Sequence, residues 1–339
     1  QEFWDTYEKG EPYGLINIEL AKICGRLGET QFPDPDVEGF NPCAEQSLAD
    51  KETCCLAELF LPNIESQEEL IRVASYLYRI NKHSLALPCH LKETEAIVHK
   101  NMRMGIGITG VMQATAKQRS WLDACYRYLR AYDVEYSEAY GWPVSIKLTT
   151  VKPSGSLSLL AGVTPGGHPS PAGPFYIRRV RIANGSPLVE VCKKNGFHVE
   201  QQRNFDGTND NTTMVVSFPC KVPKKTPIAG SITAIEQLEG VVGLQRDWSD
   251  NSVSVTVYYT LEELPEIKEW LNNNYTNSLK TVSFLLTNDH GFDQAPYETI
   301  SEDRYNELVK NTTPITSATI GDDDMDDLEG CLNGACPVK

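Results

Sequence analysis

A chain of 339 residues, 40% hydrophobic and 23% charged, has the composition of a globular protein with one large domain or two ordinary ones. No apolar run approaches the roughly 18 residues of a membrane-spanning helix, and the opening Gln1-Glu2-Phe3-Trp4-Asp5 does not read as an export signal. A formal net charge of −15 argues against a general basic field for nucleic acid, so local donors must hold any anionic ligand.

Residues 13–25 place Leu15, Ile16, Ile18, Leu20 and Ile23 at spacings that predict a short amphipathic helix. Residues 31–43, rich in Pro, Asp and Gly, predict loop. Ser66-Gln67-Glu68-Glu69 is a capping box opening a helix through Leu70, Val73, Ala74, Leu77 and Ile80. Residues 121–140 predict another helix, ended by Gly141 and Pro143. Residues 144–151 then predict a strand entering a Pro/Gly/Ser loop. The segments 213–218, 252–258 and 281–287 are β-branched or aromatic and predict strands. Between them, Thr260-Leu261-Glu262-Glu263 caps a helix running to about Asn272. This alternation predicts an α/β fold with at least part of a parallel sheet. Beyond residue 318 apolar periodicity stops, and the run Asp322-Asp323-Asp324-Met325-Asp326-Asp327 predicts a mobile acidic linker.

Ten cysteines in a chain this large, with no export signal, read by default as reduced cytosolic thiols, most of them small buried hydrophobes. Three segments stand out as chemical. In Asn41-Pro42-Cys43-Ala44-Glu45, Pro42 holds Asn41 extended. A tight loop can then present an amide, a thiol and a carboxylate together, which supplies hydrogen bonding, a radical or nucleophile, and a base. Cys54-Cys55-Leu56-Ala57-Glu58 follows. The plain alternative is a loop with a buried Cys and a surface Glu. In Lys152-Pro153-Ser154-Gly155-Ser156-Leu157-Ser158, small residues after a strand leave backbone N–H groups free for phosphate; alone, it is an ordinary turn. The ending Cys331-Leu332-Asn333-Gly334-Ala335-Cys336 carries two thiols suited to thiol–disulfide exchange, or an incidental pair, or half a zinc site.

With Gly10-Glu11-Pro12, residues 151–169 and Trp248-Ser249-Asp250-Asn251-Ser252-Val253-Ser254, these segments make the chain resemble ribonucleotide reductases. The resemblance is to the monomeric, adenosylcobalamin-dependent type acting on ribonucleoside triphosphates. It implies that residues 1–318 are the C-terminal part of a ten-stranded α/β barrel with Cys43 at the tip of a central finger loop. Residues 319–339 are then a flexible redox tail. By the same resemblance, homolysis of the cobalt–carbon bond of adenosylcobalamin produces a thiyl radical on Cys43, which abstracts the ribose 3′ hydrogen. Glu45 then accepts the 3′-OH proton, Asn41 hydrogen-bonds the sugar, and Cys54 is one of two thiols reducing the 2′ position. Ser154, Gly155 and Ser156 bind phosphate. Cys331 and Cys336 re-reduce the active-site disulfide and are themselves reduced by thioredoxin or a similar dithiol. The second reducing thiol and the allosteric region of the family lie upstream of the finger loop. Only Cys24 precedes Cys43, in a helical context that does not match. The resemblance therefore implies that an N-terminal half is absent, or is a separate chain, and that the isolated chain is inactive. The implied location is the cytoplasm.

Other patterns have other readings. Gly105-Ile106-Gly107-Ile108-Thr109-Gly110 fits a dinucleotide-binding fingerprint but lacks the preceding strand, so a close backbone turn is expected. Arg178-Arg179-Val180-Arg181 reads as a solvated strand end, and His168 as no metal ligand. An oxygen-dependent reductase subunit would use a tyrosine pair such as Tyr258-Tyr259, which here sits in a structural strand context. A non-catalytic nucleotide-binding relic of the reductase barrel is the remaining alternative.

Overall fold

The computed structural model describes residues 13–204, 207–223, 226–287 and 294–316. In chain order its strands and α-helices are β1 (Tyr13–Ile16), α1 (Ile18–Ile23), β2 (Gly39–Phe40), β3 (Ser47–Leu48), β4 (Leu56–Phe60), α2 (Gln67–Leu85), α3 (Lys92–Asn101), β5 (Gly105–Thr109), α4 (Ala116–Ser120), α5 (Leu122–Tyr140), β6 (Thr149–Thr150), α6 (Leu157–Ala161), β7 (Phe175–Ala183), α7 (Pro187–Lys194), β8 (His198–Arg203), β9 (Asn209–Lys221), α8 (Ala234–Asp247), β10 (Thr256–Tyr259), α9 (Leu264–Ser278), β11 (Thr281–Leu286), β12 (Tyr297–Thr299) and α10 (Glu302–Lys310). They fall into two compact units, one within 1–170 and 225–288, the other within 171–224 and 289–339.

The first unit is α/β. Strands β4, β5 and β6 pair in parallel, with Glu58 opposite Gly107 and Gly107 opposite Thr150. A parallel bridge from Val151 to Val253, closed by Ser254 N to Val151 O at 2.9 Å, carries the ladder to the segment entering β10. β10 pairs in parallel with β11, and β1 closes that edge antiparallel. The result is five parallel strands and one antiparallel edge strand. β5 is buried at every position, as a strand covered on both faces must be. Its glycines are steric: a Cβ at Gly105 would stand 2.7 Å from Leu56 Cδ2. The Gly105–Gly110 pattern is thus mainly a central strand, not the expected turn, and only Gly110 takes positive φ (+76°).

Helices form where their ends are capped. The Ser66 hydroxyl accepts from Glu69 N at 3.1 Å, and α2 buries Leu70, Ala74, Tyr78 and Leu85 against the core. α5 ends at Gly141 in the left-handed region (φ +66°). The Thr260–Glu263 box forms, but it opens a 3-10 turn over Leu261–Glu263, and α9 starts only at Leu264 and runs on to Ser278. The helix expected over 13–25 is divided. Residues 13–16 pair with β11, and α1 starts only after Asn17, whose side chain accepts from Leu20 N at 3.0 Å. The strand expected over 144–151 shrinks to Thr149–Thr150, because Ser145 N bonds Asp133 and Ile146 N bonds Asn101 O.

The second unit is an antiparallel sheet, β12-β7-β9-β8, with α7 and α10. Its arginine cluster lies mid-strand in β7 rather than at a strand end. Arg179 bonds Ala295 O and pairs with Glu298, and Arg178 bonds Pro296 O. Among the described residues no helix is long and apolar enough to cross a membrane. The acidic run, Cys331 and Cys336 lie outside the described residues.

Candidate active site

Between β2 and β3 the chain turns through residues 41–46, and the turn is closed by its own polar groups. Asn41 N donates to Gln46 O and Gln46 N to Asn41 Oδ1, both at 3.0 Å. Ala44 N donates to Asn41 O at 2.8 Å while Ala44 adopts φ +58°. A non-glycine residue there costs about 1–2 kcal/mol, so the neighbouring contacts must hold the shape. They do so from the strand ends. Thr150 Oγ1 donates to Glu45 O at 2.6 Å, Ser252 N to the same oxygen at 3.1 Å, and Ser254 Oγ to Cys43 O at 2.6 Å. At the hairpin's base, buried Arg103 pairs with Asp34 and Glu52 and donates to Ser47 Oγ at 3.2 Å.

This clamping exposes Cys43 at the tip and buries Asn41 and Glu45 beside it. Among the described residues Glu45 Oε2 is buried with no hydrogen-bond partner, as are Gln46 Nε2 and Oε1, Ser154 Oγ and Ser252 Oγ. Of these, Glu45 lies within electrostatic reach of the exposed Cys43 thiol, and its free oxygen can accept a hydrogen bond from a polar ligand. Asn41 spends its Oδ1 on the turn, which leaves its NH₂ to offer. Cys54, exposed just ahead of β4, and Lys152, just after β6, both lie within electrostatic reach of the Cys43 sulfur. Burial, then Glu45 and Cys54, push the Cys43 thiol above its ordinary pKa, while Lys152 pulls the other way.

Cys55 differs from its neighbour. It packs half-buried against the core, its Sγ 3.8 Å from Asn81 O, and burial pushes its thiol up to about 11. Cys24 is buried, donates from Sγ to Leu20 O at 3.2 Å, and gives its carbonyl to Lys147 and Lys280. Of the phosphate-loop residues, Ser154 is buried at φ +53°, and Gly155 and Ser156 are exposed ahead of α6. His168 accepts from Thr256 N at Nε2 (2.9 Å) and faces Pro165 O through Nδ1 (3.1 Å). Burial lowers its pKa to about 4, so it is a neutral structural imidazole.

Several essential groups escaped the sequence reading. Residues 248–253 are fully buried, and Asp250 accepts from Leu148 N, Thr149 N and Arg130 Nη2 at 3.0, 2.8 and 2.7 Å. The Trp248 indole donates to Thr150 O at 3.0 Å, and Asn251 Nδ2 to Met104 O and Thr149 O at 2.9 Å. Lys280 Nζ donates to four carbonyls, those of Cys24, Gly25, Asp250 and Asn251. These bonds hold in place the strand ends that clamp the tip. In the sequence, residues 248–254 carry only the family resemblance and no sign of a role in the scaffold.

On its other side the tip borders an open cavity of about 520 Å³, lined by Pro42, Cys43 and Ala44, by residues 14–16 of β1, by 254–256 and by 281–285. Its walls are apolar side chains with a few hydroxyls, which suits a nucleoside-sized group lying against Cys43.

No protein-family model matches the sequence. Individual proteins do. The chain is 36% identical over 317 residues to a probable adenosylcobalamin-dependent ribonucleoside-triphosphate reductase of Dictyostelium discoideum, an alignment covering 90% of this chain and 41% of that protein. Against the adenosylcobalamin-dependent ribonucleoside-triphosphate reductase of Lacticaseibacillus paracasei the identity is 31% over 378 residues, covering 98% and 50%. A crystal structure of a B12-dependent (class II) ribonucleotide reductase superposes with a TM-score of 0.78 at 27% identity, covering 98% of this chain and 50% of that one. The class Id reductase alpha subunit of Actinobacillus ureae shares the fold alone, at 12% identity and TM-score 0.56 over 84% of this chain and 60% of its own. Fold and sequence thus make the chain similar to the ribonucleotide reductase family. Within it, the similarity is to the class II, adenosylcobalamin-dependent ribonucleoside-triphosphate reductases, of which the chain spans about half the length.

Proposed function

We propose that this chain carries the radical centre of a reductase converting ribonucleotides, of the triphosphate class, to 2′-deoxyribonucleotides. The observation that carries the reading is the exposed Cys43 thiol beside a buried Glu45 carboxylate oxygen that has no hydrogen-bond partner among the described residues. In this reading the five parallel strands of the first unit belong to a ten-stranded barrel, and the 41–46 turn is its finger loop. Residues 1–318 form the barrel portion and 319–339 the redox tail.

Adenosylcobalamin, when bound, supplies the initiating radical through its cobalt–carbon bond, and the cavity beside Cys43 is where its nucleoside end would lie. The chain's own groups do the rest. Cys43 exchanges a hydrogen atom at Sγ with the ribose 3′ position. Glu45 Oε2 takes the 3′-OH proton, and the Asn41 NH₂ orients the sugar. Cys54 is one of the two thiols that deliver electrons to the 2′ position and end as a disulfide. Ser154, Gly155 and Ser156 hold the phosphates.

The partner thiol of Cys54 is assigned to an N-terminal half outside this chain, because Cys24 is committed to the core and Cys55 packs away. Cys331 and Cys336 would re-reduce the pair and be reduced by thioredoxin or a similar dithiol, in the cytoplasm. The test is deoxynucleotide formation by this chain joined to the N-terminal half, with adenosylcobalamin, a dithiol and mixed ribonucleotides. A nucleotide-binding relic would bind substrate without forming cob(II)alamin.

A further inference from the structure

One ion pair beside Cys43 has no part in the reading above. Glu58, in β4, has a side chain 2% exposed, and the Lys152 ammonium approaches its Oε2 to 3.5 Å. To get there the lysine stem crosses Gly107. A Cβ on that residue would stand 3.0 Å from Lys152 Cδ and 3.1 Å from Ala57 O, so the glycine keeps the lysine's path open. Neither Glu58 oxygen has a hydrogen-bond partner among the described residues. A buried pair this poorly hydrogen-bonded is a weak source of stability, because desolvation offsets its attraction.

We propose that Glu58 is a positioning residue for Cys43 and acts through Lys152: it anchors and neutralises the cation near the thiol, so that Lys152 draws Cys43 less toward the thiolate. Hydrogen-atom exchange with carbon requires a hydrogen on sulfur. The S–H bond breaks in one direction, one electron leaving with the hydrogen and one staying on sulfur, and it re-forms in the other. A thiolate has no hydrogen to give. Among the described residues, the charged and titratable groups facing Cys43 are Glu45 from its own turn, Cys54 from ahead of β4 and Lys152 from the end of β6. Across the cavity, Leu15, Ser254, Val255, Thr256, Val282 and Ser283 carry no titratable side chain. Lys152 is therefore the cation that would favour the thiolate, and Glu58 is its counter-charge. The inference rests on Cys43 as the hydrogen-atom carrier.

The test needs neither cofactor nor nucleotide. The alkylation rate of Cys43 by iodoacetamide is followed against pH in the folded chain by mass spectrometry of its peptide. Glu58→Gln is expected to lower the midpoint by about one pH unit, a roughly tenfold faster reaction below the midpoint. Lys152→Met is expected to raise it, and Lys152→Arg to restore the parent value. General structural damage would move the Gln and Met variants the same way, so that result overturns the proposal, as does an unmoved midpoint in Glu58→Gln. Should Glu58→Gln not fold, Lys152→Met decides: a rise supports the proposal and no change refutes it. Failure of Cys43-dependent turnover would refute the reductase reading while leaving this ionisation result standing.

Discussion

Removing the Asp250 carboxylate should be the most damaging single change in the scaffold beneath the site. Its side chain is fully buried, accepts from the backbone N–H groups of Leu148 and Thr149, and pairs with Arg130, itself 8% exposed. Asp250→Ala leaves a buried guanidinium without its counter-charge, a loss of about 3–5 kcal/mol for breaking such a pair. It also orphans two amides, at about 1–3 kcal/mol each. The sum is at least about 5 kcal/mol, comparable with the whole stability of an ordinary domain. Asp250→Asn keeps an acceptor for the amides and should lose about 3 kcal/mol, chiefly the charge. Urea unfolding followed by far-ultraviolet circular dichroism measures both, with the slope checking that the same surface is exposed. A loss under about 1 kcal/mol in Asp250→Ala, at unchanged slope, would refute the argument that this network supports the strand ends.

Glu45→Gln should lower kcat of the complete assembly by about 10²–10⁴ with KM little changed, since a base acts in the transition state; a pure KM effect would contradict the role. Ser254→Ala removes the 2.6 Å bond to the Cys43 carbonyl and should cost about 1 kcal/mol, read as faster amide exchange at residues 43–45. Stability should also fall on acidification through His168. Its folded pKa, about 4, lies below the ordinary 6.5, so the unfolded chain binds the extra proton first. That contribution is present above about pH 6.5 and falls by about 2 kcal/mol by pH 5; urea titrations of His168→Gln should lack this component.

How much was legible in the sequence follows the range of each signal. Local signals read well: the Ser66 and Thr260 caps, the Gly141 stop and the turn at Asn41–Glu45 depend on neighbours in the chain. Residues 13–16 were misread because Leu15 and Ile16 suit a helix face equally well, and only β11, some 270 residues away, makes them a strand. The glycines of β5 were read as a close backbone turn because their reason is steric and lies elsewhere in the chain, at Leu56, Thr150 and Lys152. The site divides the same way. Cys43, Glu45 and Asn41 stand together in sequence, and the fold keeps them in one turn. Thr150, Ser252, Ser254 and the Glu58–Lys152 pair come from strands that meet only in the fold.

The central claim is that Cys43 carries the radical chemistry of a cobalamin-dependent reductase. The direct measurement is deoxynucleotide formation by this chain assembled with the N-terminal half, supplied with adenosylcobalamin, a dithiol and mixed ribonucleotides, beside Cys43→Ala. The account predicts cobalamin-dependent product that disappears in Cys43→Ala while the variant stays folded. Product that persists in Cys43→Ala, or none from a complete and folded assembly, would contradict it.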